Sequence, residues 1–136
     1  LGLRIDHLDS HHHTHMVGKL FANAAKLAQE LGLPLRTRHL MREHLRKVGV
    51  RSPEDMLESY FGADRISREA LFASLEHAQG DMIEVMCHPG YVDDVLRGRS
   101  GYLEERESEL QVLGDPQLAH ELEVRGYTMA GYEVLS

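Results

Sequence analysis

The sequence predicts an α/β protein in which parallel strands are flanked by helices. Short apolar segments alternate along the chain with longer segments whose apolar residues recur at helical spacing. Glycine or proline marks most of the boundaries between them. Strands that alternate with helices in this way are typical of βαβ units, whose strands are parallel. With 136 residues and 42% hydrophobic content, the chain is long enough for one hydrophobic core, and we expect a single domain over residues 1–136.

The helices have the clearest local signals. In residues 17–32, leucine or alanine stands at positions 20, 24, 27 and 31, which share one helix face, and Gly32 is a typical terminator. Ser52 and Pro53 are typical N-cap and first-turn residues and predict a helix over 52–62. Capping residues and terminal glycines predict three further helices, at 67–80, 101–114 and 115–126. The remaining apolar segments are predicted as strands, at 4–11, 33–40, 81–90 and 127–135.

Charge and cysteine content exclude several classes of protein. The formal net charge is −7, whereas a protein that binds the phosphate backbone of nucleic acids normally has a basic surface. Cys87 is the single cysteine, which rules out an internal disulfide and favours a reducing compartment. No apolar run is long enough to span a bilayer, and no signal peptide opens the chain. We therefore expect a cytoplasmic protein that binds neither nucleic acid nor membranes, with a neutral or weakly polar substrate.

Five of the ten histidines lie in residues 5–16, "IDHLDSHHHTHM". This segment can be interpreted as a remnant of an affinity tag, a solvated polar loop or part of a metal site. Only three of the histidines are consecutive, and the segment continues into a natural-looking helix, which argues against a tag. In parallel α/β folds, reactive groups gather at the carboxyl ends of strands. The segment follows a predicted strand, so we favour the metal site.

Strand geometry makes a further prediction about these side chains. Residues two apart in a strand share a face, so Asp9, His11 and His13 are expected to point one way and Ser10 and His12 the other. A carboxylate beside two imidazoles suits a divalent metal or a proton shuttle. Nitrogen ligands favour zinc or a similar ion, and the carboxylate can bind the metal or orient a ring.

Two motifs carry a resemblance to a known family. "HLDSHHHTHM" at 7–16 and "EVMCHPGYVDD" at 84–94 resemble the YdjC-like (ChbG-type) family of carbohydrate deacetylases. Weaker similarity continues through "YFGADRIS", "RESELQVL" and "RGYTMAGYEVL". The resemblance implies a (β/α)-barrel variant that uses a divalent metal, Mg or Zn, to remove acetyl groups from N-acetylated sugars or oligosaccharides.

The resemblance covers the C-terminal half of the family only. It implies that His11 is a metal ligand, and that the other ligands and the catalytic base lie in an N-terminal half that this sequence does not contain. We therefore expect the chain to form the C-terminal portion of the barrel. Its expected partners are an N-acetylated carbohydrate substrate and either further copies of itself or the missing half.

His88 is the candidate general acid of this reaction. Hydrolysis of an amide needs a proton for the departing amine, and histidine can be tuned to donate one near neutral pH. His88 lies at the end of the predicted strand 81–90 and is followed by the rigid Pro89-Gly90 turn. The alternative is that His88 only forms hydrogen bonds within that turn.

The other candidate residues have two interpretations each. Asp9, His13 and His15 can orient the metal ligand or the substrate, or be structural. Arg36 and Arg38 can reach sugar hydroxyls or face acidic neighbours. Tyr60 and Phe61 can stack on a sugar ring or pack in the core. In the predicted helix 101–114, Arg106 and Glu107 are expected to form a solvated pair. Cys87 is expected to be a small buried side chain.

Two other functions stay open at this point. A different metal-dependent hydrolase, such as an amidohydrolase or a phosphoesterase, also carries His-X-His at a strand end. A truncated, non-catalytic fragment that still binds metal or carbohydrate is the other, because the expected ligands are incomplete.

Overall fold

The structure is a computed structural model that describes residue 2 and residues 4–135. These residues form two compact units. The first unit contains the described residues up to Met56, then Gln79–Glu84, and the described residues from Ala130. The second unit contains Leu57–Ala78 and Val85–Met129. The assignment of residues 1–136 to one domain stays a prediction.

Helices and two parallel strands make up the described part of the chain. No helix in it is both long and apolar enough to cross a membrane. The strands β1 and β2 form a two-stranded sheet. Short 3-10 turns at His11–Met16, Ala63–Arg65 and Tyr132–Leu135 connect or follow the longer elements. The elements in chain order are α1 Lys19–Leu31, α2 His39–Lys47, β1 Asp55–Leu57, α3 Arg68–Glu76, β2 Ile83–Val85, α4 Asp94–Arg97, α5 Glu104–Leu113 and α6 Pro116–Val124. The α/β class with parallel strands is therefore confirmed.

Four predicted helices are confirmed, and single residues explain one end of three of them. Gly32 ends α1 in the left-handed conformation, at φ +66°, which glycine adopts without steric cost. Ser67 caps α3, because its side chain accepts a hydrogen bond from the Ala70 N–H at 3.1 Å. Asp115 caps α6 in the same way, accepting from the Gln117 N–H at 2.8 Å. The fourth is α5, within the predicted range 101–114.

The helix predicted at 52–62 is wrong, because these residues contain strand β1. The Glu54 N–H donates to the Met82 carbonyl at 2.7 Å, and the Met86 N–H donates to the Leu57 carbonyl at 3.0 Å. Pairing with the neighbouring strand, together with burial of Met56, outweighs the local cap signal.

The predicted strands are shorter than expected or absent. Segments 4–11 and 33–40 meet in one parallel bridge between Leu8 and Leu35, and α2 begins already at His39. The strand predicted at 127–135 is wrong, since the chain makes a 3-10 turn at Tyr132–Leu135. Helices α2 and α4 were not predicted.

The core of the first unit lies between its helices and the Leu8–Leu35 bridge. One face of α1 is buried there and packs against α2 and the chain around Leu35. The buried residues are Phe21, Ala25, Ala28, Leu35, Leu45 and Val50. This packing holds the segment that precedes α1, which contains the histidine cluster.

The core of the second unit packs α3 against α6. Its buried residues are Tyr60, Leu71, Phe72, Leu118 and Leu122. Val85 and Cys87 pack against this core from the end of β2, and Val112 and Leu113 from the end of α5. The expectation that Cys87 is a packing residue is therefore supported, although it is only half-buried. This arrangement fixes the start of the loop that carries His88.

Candidate functional site

The histidine-rich segment of the first unit is a 3-10 turn that Ser10 and His15 stabilise. The Ser10 hydroxyl accepts from the His15 N–H at 2.9 Å and lies 2.6 Å from His15 Nδ1. The other ring nitrogen, Nε2, lies 3.0 Å from the Arg36 carbonyl oxygen. His15 is buried, and both of its ring nitrogens are used within the protein. Its role is therefore to fix the turn and not to bind a metal.

Two histidines inside the turn have a backbone conformation that L-residues rarely adopt. His12 lies at φ +54° and ψ +24°, and His13 at φ +54° and ψ +30°. Left-handed backbone of this kind costs roughly 1–2 kcal/mol per residue, and such strain clusters at functional sites. The predicted strand-like alternation of Asp9, His11 and His13 is therefore wrong, because the extended chain ends at Ser10.

The turn exposes two imidazoles next to each other. His11 and His12 are both exposed, and their ring centroids lie 4.1 Å apart, while His13 is half-buried. Within the described residues, no group of three His, Cys, Asp or Glu side chains is arranged to hold a metal ion. The exposed ring of His11 has the chemistry of a metal ligand.

Arg36 lies between two carboxylates in the first unit. Its Nη1 donates to Asp9 at 2.6 Å, and its Nη2 and Nε donate to Glu84 at 2.5 and 2.8 Å. The Tyr132 hydroxyl also donates to Glu84, at 2.5 Å. Burial and this hydrogen bond to Glu84 raise the pKa of Tyr132 well above its ordinary value.

This network decides between the two interpretations of some predicted residues. Arg36 faces acidic neighbours, and a contact with sugar hydroxyls stays a prediction for it. Asp9 pairs with Arg36, and a role for it in orienting a histidine stays a prediction. Arg38 is exposed at the start of α2, where nothing described tests a sugar contact.

In the second unit, His88 lies three residues beyond the end of β2, as the sequence predicted. Its ring packs edge-on against two aromatic rings, with centroid distances of 5.6 Å to Phe61 and 5.7 Å to Tyr102. Phe61 and Tyr102 are themselves stacked, at 4.5 Å and an interplanar angle of 9°. The candidate acid therefore stands against a preformed pair of parallel rings.

Phe61 and its neighbour Tyr60 have different fates. The ring of Phe61 is 45% exposed and can offer a face to a ligand beside His88. Tyr60 is fully buried, so the core-packing interpretation applies to it, and its ring has no face for a sugar. Burial and the nearby Glu109 raise the pKa of Tyr60 to about 12.

Helix α5 holds the loop that carries His88. The buried Glu109 carboxylate accepts hydrogen bonds from the His88 N–H and from the Tyr102 hydroxyl. Arg106 Nη1 donates to the His88 carbonyl at 3.2 Å, and its Nε donates to the Tyr102 carbonyl at 3.0 Å. Burial and the bond to Glu109 raise the pKa of Tyr102.

The hydrogen bonds from α5 to the His88 loop were not predicted from the sequence. Arg106 does not form a solvated pair with Glu107: it is half-buried against the His88 loop, while Glu107 is exposed and lies 3.3 Å from the Val92 N–H. Glu109 was not singled out, because the sequence "EERESEL" gives no sign of which of its carboxylates is buried.

Comparison with known proteins gives these two sites a context. The model of the YdjC-like protein family matches residues 1–124. The chain belongs to the YdjC-like family. It is 38% identical over 135 residues to a chitooligosaccharide deacetylase of Proteus mirabilis (strain HI4320), an alignment that covers 96% of this chain and 53% of the relative. It is 37% identical over 142 residues to a carbohydrate deacetylase of Vibrio parahaemolyticus, covering 99% of this chain and 52% of the relative.

A solved structure agrees with the fold. A crystal structure from Enterococcus faecalis V583, provisionally named a cellobiose-phosphate cleavage protein, superposes with a TM-score of 0.85 at 34% identity. The superposition covers 99% of this chain and 54% of that protein. The YdjC-like chain thus spans about half the length of the curated relatives it matches.

Proposed function

We propose that the YdjC-like protein containing this chain is a metal-dependent hydrolase that removes acetyl groups from N-acetylated sugars, with chitooligosaccharides as the substrate class. In this proposal the chain is the C-terminal portion of a (β/α)-barrel, completed by a half that the sequence does not contain. The names of the relatives support the reaction, and the two parallel strands with flanking helices fit part of such a barrel.

The observation that carries the proposal is the setting of His88. An amide anion is a poor leaving group, so breakdown of the tetrahedral intermediate requires a proton on the departing nitrogen. His88 is half-buried beside Phe61, whose exposed face can stack on a sugar ring. A sugar held on Phe61 would present its acetamido nitrogen next to the imidazole. His88 is thus the proposed catalytic acid and Phe61 the proposed sugar platform.

His11 is the proposed ligand that this chain supplies to a divalent metal, Mg or Zn. When bound, such an ion polarises the acetyl carbonyl and activates water. The exposed imidazole of His11 is held at the start of a turn that Ser10 and His15 fix. In the proposed site His15 orients His11 through this turn, and His13 and Asp9 are further orienting residues. The remaining ligands and the catalytic base come from outside the chain.

Substitution of His88 in the full-length protein tests the proposal. His88→Ala should lower kcat on an N-acetylated chitooligosaccharide by about 10²- to 10⁴-fold, the usual contribution of a general acid. The loss should be much smaller on an acetyl ester, because an alkoxide needs less help to leave. The matched control is His120→Ala, an exposed histidine of α6, which should keep full activity. Equal losses on amide and ester, or no loss, would show that His88 is structural.

Several finer points remain part of the proposal. We propose that Arg36 and Arg38 contact substrate hydroxyls. We also propose that the protein is cytoplasmic and assembles into a homo-oligomer. A non-catalytic binding fragment is the alternative for the isolated chain. If the full-length protein releases acetate and the isolated chain does not, deacetylation belongs to the full-length protein and the isolated chain is at most a binding fragment.

A further inference from the structure

We propose that Glu109 and Arg106 of α5 are positioning residues that set the orientation of His88 by holding its peptide units. This inference rests on the proposed function, since it concerns the residue assigned there as the general acid. Neither side chain reaches the reacting atoms in this arrangement. They act on His88 through the backbone on both sides of it and through the ring of Tyr102.

Glu109 is a buried carboxylate, and buried carboxylates are rare in proteins. Its side chain is fully buried, and burial of a carboxylate is costly unless hydrogen bonds compensate. Its carboxylate accepts from the His88 N–H and from the Tyr102 hydroxyl. One carboxylate thus joins the backbone of the candidate acid to the ring that packs against its imidazole.

Arg106 completes the arrangement from one turn earlier on the same helix. It donates to the carbonyl of His88, while Glu109 accepts from the N–H of His88. The Gly90 N–H in turn donates to the Arg106 carbonyl at 3.2 Å. Both polar groups of the His88 backbone, and the turn that follows it, are therefore bonded to α5.

The consequence for the proposed reaction is control of geometry. Proton transfer requires the imidazole within hydrogen-bond reach of the departing nitrogen, and a misplacement of about 1 Å can cost on the order of 100-fold in rate. A loop tied only by Pro89 and Gly90 would leave the ring direction weakly determined. The bonds to α5 remove that freedom before the substrate binds.

The number of acceptor atoms on residue 109 gives a sharp test. A carboxylate accepts from both donors, whereas leucine has no acceptor atom. Glu109→Leu should therefore remove both bonds. Glutamine can keep both contacts, because its amide oxygen accepts from the His88 N–H while its NH₂ group donates to the oxygen of the Tyr102 hydroxyl, which accepts as well as donates. Glu109→Gln should therefore keep most of what Glu109→Leu loses.

The experiment uses the full-length protein and two readouts. The first is the ¹⁵N–¹H spectrum of the His88 imidazole, assigned with His88→Ala, and it does not depend on activity. The second is kcat and KM for acetate release from a chitooligosaccharide. Glu109→Leu should shift the His88 signals and lower kcat about 10- to 100-fold with little change in KM. Glu109→Gln should keep both close to those of the unmodified protein. Glu104→Gln, an exposed carboxylate on the same helix, should change neither.

The outcomes separate this inference from the proposed function. Shifted His88 signals in Glu109→Leu with recovery in Glu109→Gln, but no loss of activity in His88→Ala, would uphold the positioning role and reject His88 as the acid. Unshifted His88 signals in Glu109→Leu, or equal shifts in Glu109→Leu and Glu109→Gln, would overturn the inference. If Glu109→Leu does not fold, Arg106→Lys is the second variant. It keeps the charge, loses the planar fork and should shift the same signals; unshifted signals there would also overturn the inference.

Discussion

The left-handed backbone of His12 predicts a reversal of the usual ranking of alanine and glycine. At most positions glycine is the less stable of the two by about 0.5–1 kcal/mol, because it loses more freedom on folding. At φ +54°, the left-handed conformation destabilises an alanine by roughly 1–2 kcal/mol, and glycine adopts it without this steric cost. The difference between these terms leaves His12→Gly more stable than His12→Ala by about 1 kcal/mol. Both variants lose the same imidazole and its contact with His11, so that loss cancels.

A second pair of variants on a regular helix provides the control. Lys26 is exposed in the middle of α1, where Lys26→Gly should be less stable than Lys26→Ala by about 1 kcal/mol. Urea unfolding followed by circular dichroism measures all four free energies of unfolding. The difference in free energy of unfolding between the glycine and the alanine variant should have opposite signs at positions 12 and 26. The two differences should lie about 2 kcal/mol apart. A glycine variant at position 12 that is less stable than its alanine counterpart would refute the left-handed turn.

Three further results are expected. His11→Ala in the full-length protein should abolish metal-dependent acetate release while the circular dichroism spectrum stays unchanged; unchanged metal content would reject His11 as a ligand. Tyr60→Phe should leave the free energy of unfolding unchanged or raise it by up to about 1 kcal/mol, because the buried Tyr60 hydroxyl has no hydrogen-bond partner among the described residues; a clear loss of stability would reveal a missing partner. The Asp81 N–H, with Arg42 beside it, holds the pKa of Glu54 below its ordinary value of 4.5. The ionised Glu54 therefore stabilises the fold fully above pH 4.5, and this stabilisation is lost as the pH falls through the lowered pKa. Glu54→Gln should therefore lose less stability on acidification than the unmodified chain, measured by urea unfolding, whereas Glu123→Gln, an exposed carboxylate, should behave as the unmodified chain.

Local sequence signals predicted where helices form better than which face is buried. In α1 the predicted face is exposed at Leu20, Leu27 and Leu31, and a neighbouring face packs in the core. Ser67 and Asp115 both cap the helices expected of them. Ser52 and Pro53 carry an equally good cap signal, yet the chain continues there into β1. Main-chain pairing of Glu54 with Met82 decides that outcome, and a partner 28 residues away cannot be identified from local pattern alone.

The candidate site divides in a similar way. The positions of His11 and His88 near the ends of extended segments followed from the sequence, because a motif marks each of them. The directions of the side chains did not follow, since the left-handed turn at His12 breaks the two-residue period on which the expectation rested. Glu109 escaped notice because its burial depends on packing between α5 and the His88 loop, which leaves no mark on the composition of the helix.

The two hydrogen bonds of the His15 ring also bear on how sequences of this family are compared. A histidine that joins Ser10 to the Arg36 carbonyl is difficult to replace, because few side chains present two nitrogen atoms on opposite edges of a rigid ring. Selection for folding alone would then preserve the histidine at position 15 as strictly as selection for activity preserves a metal ligand. Retention of a histidine at position 15 across species would identify a structural constraint, and it would say nothing about which residues perform the chemistry.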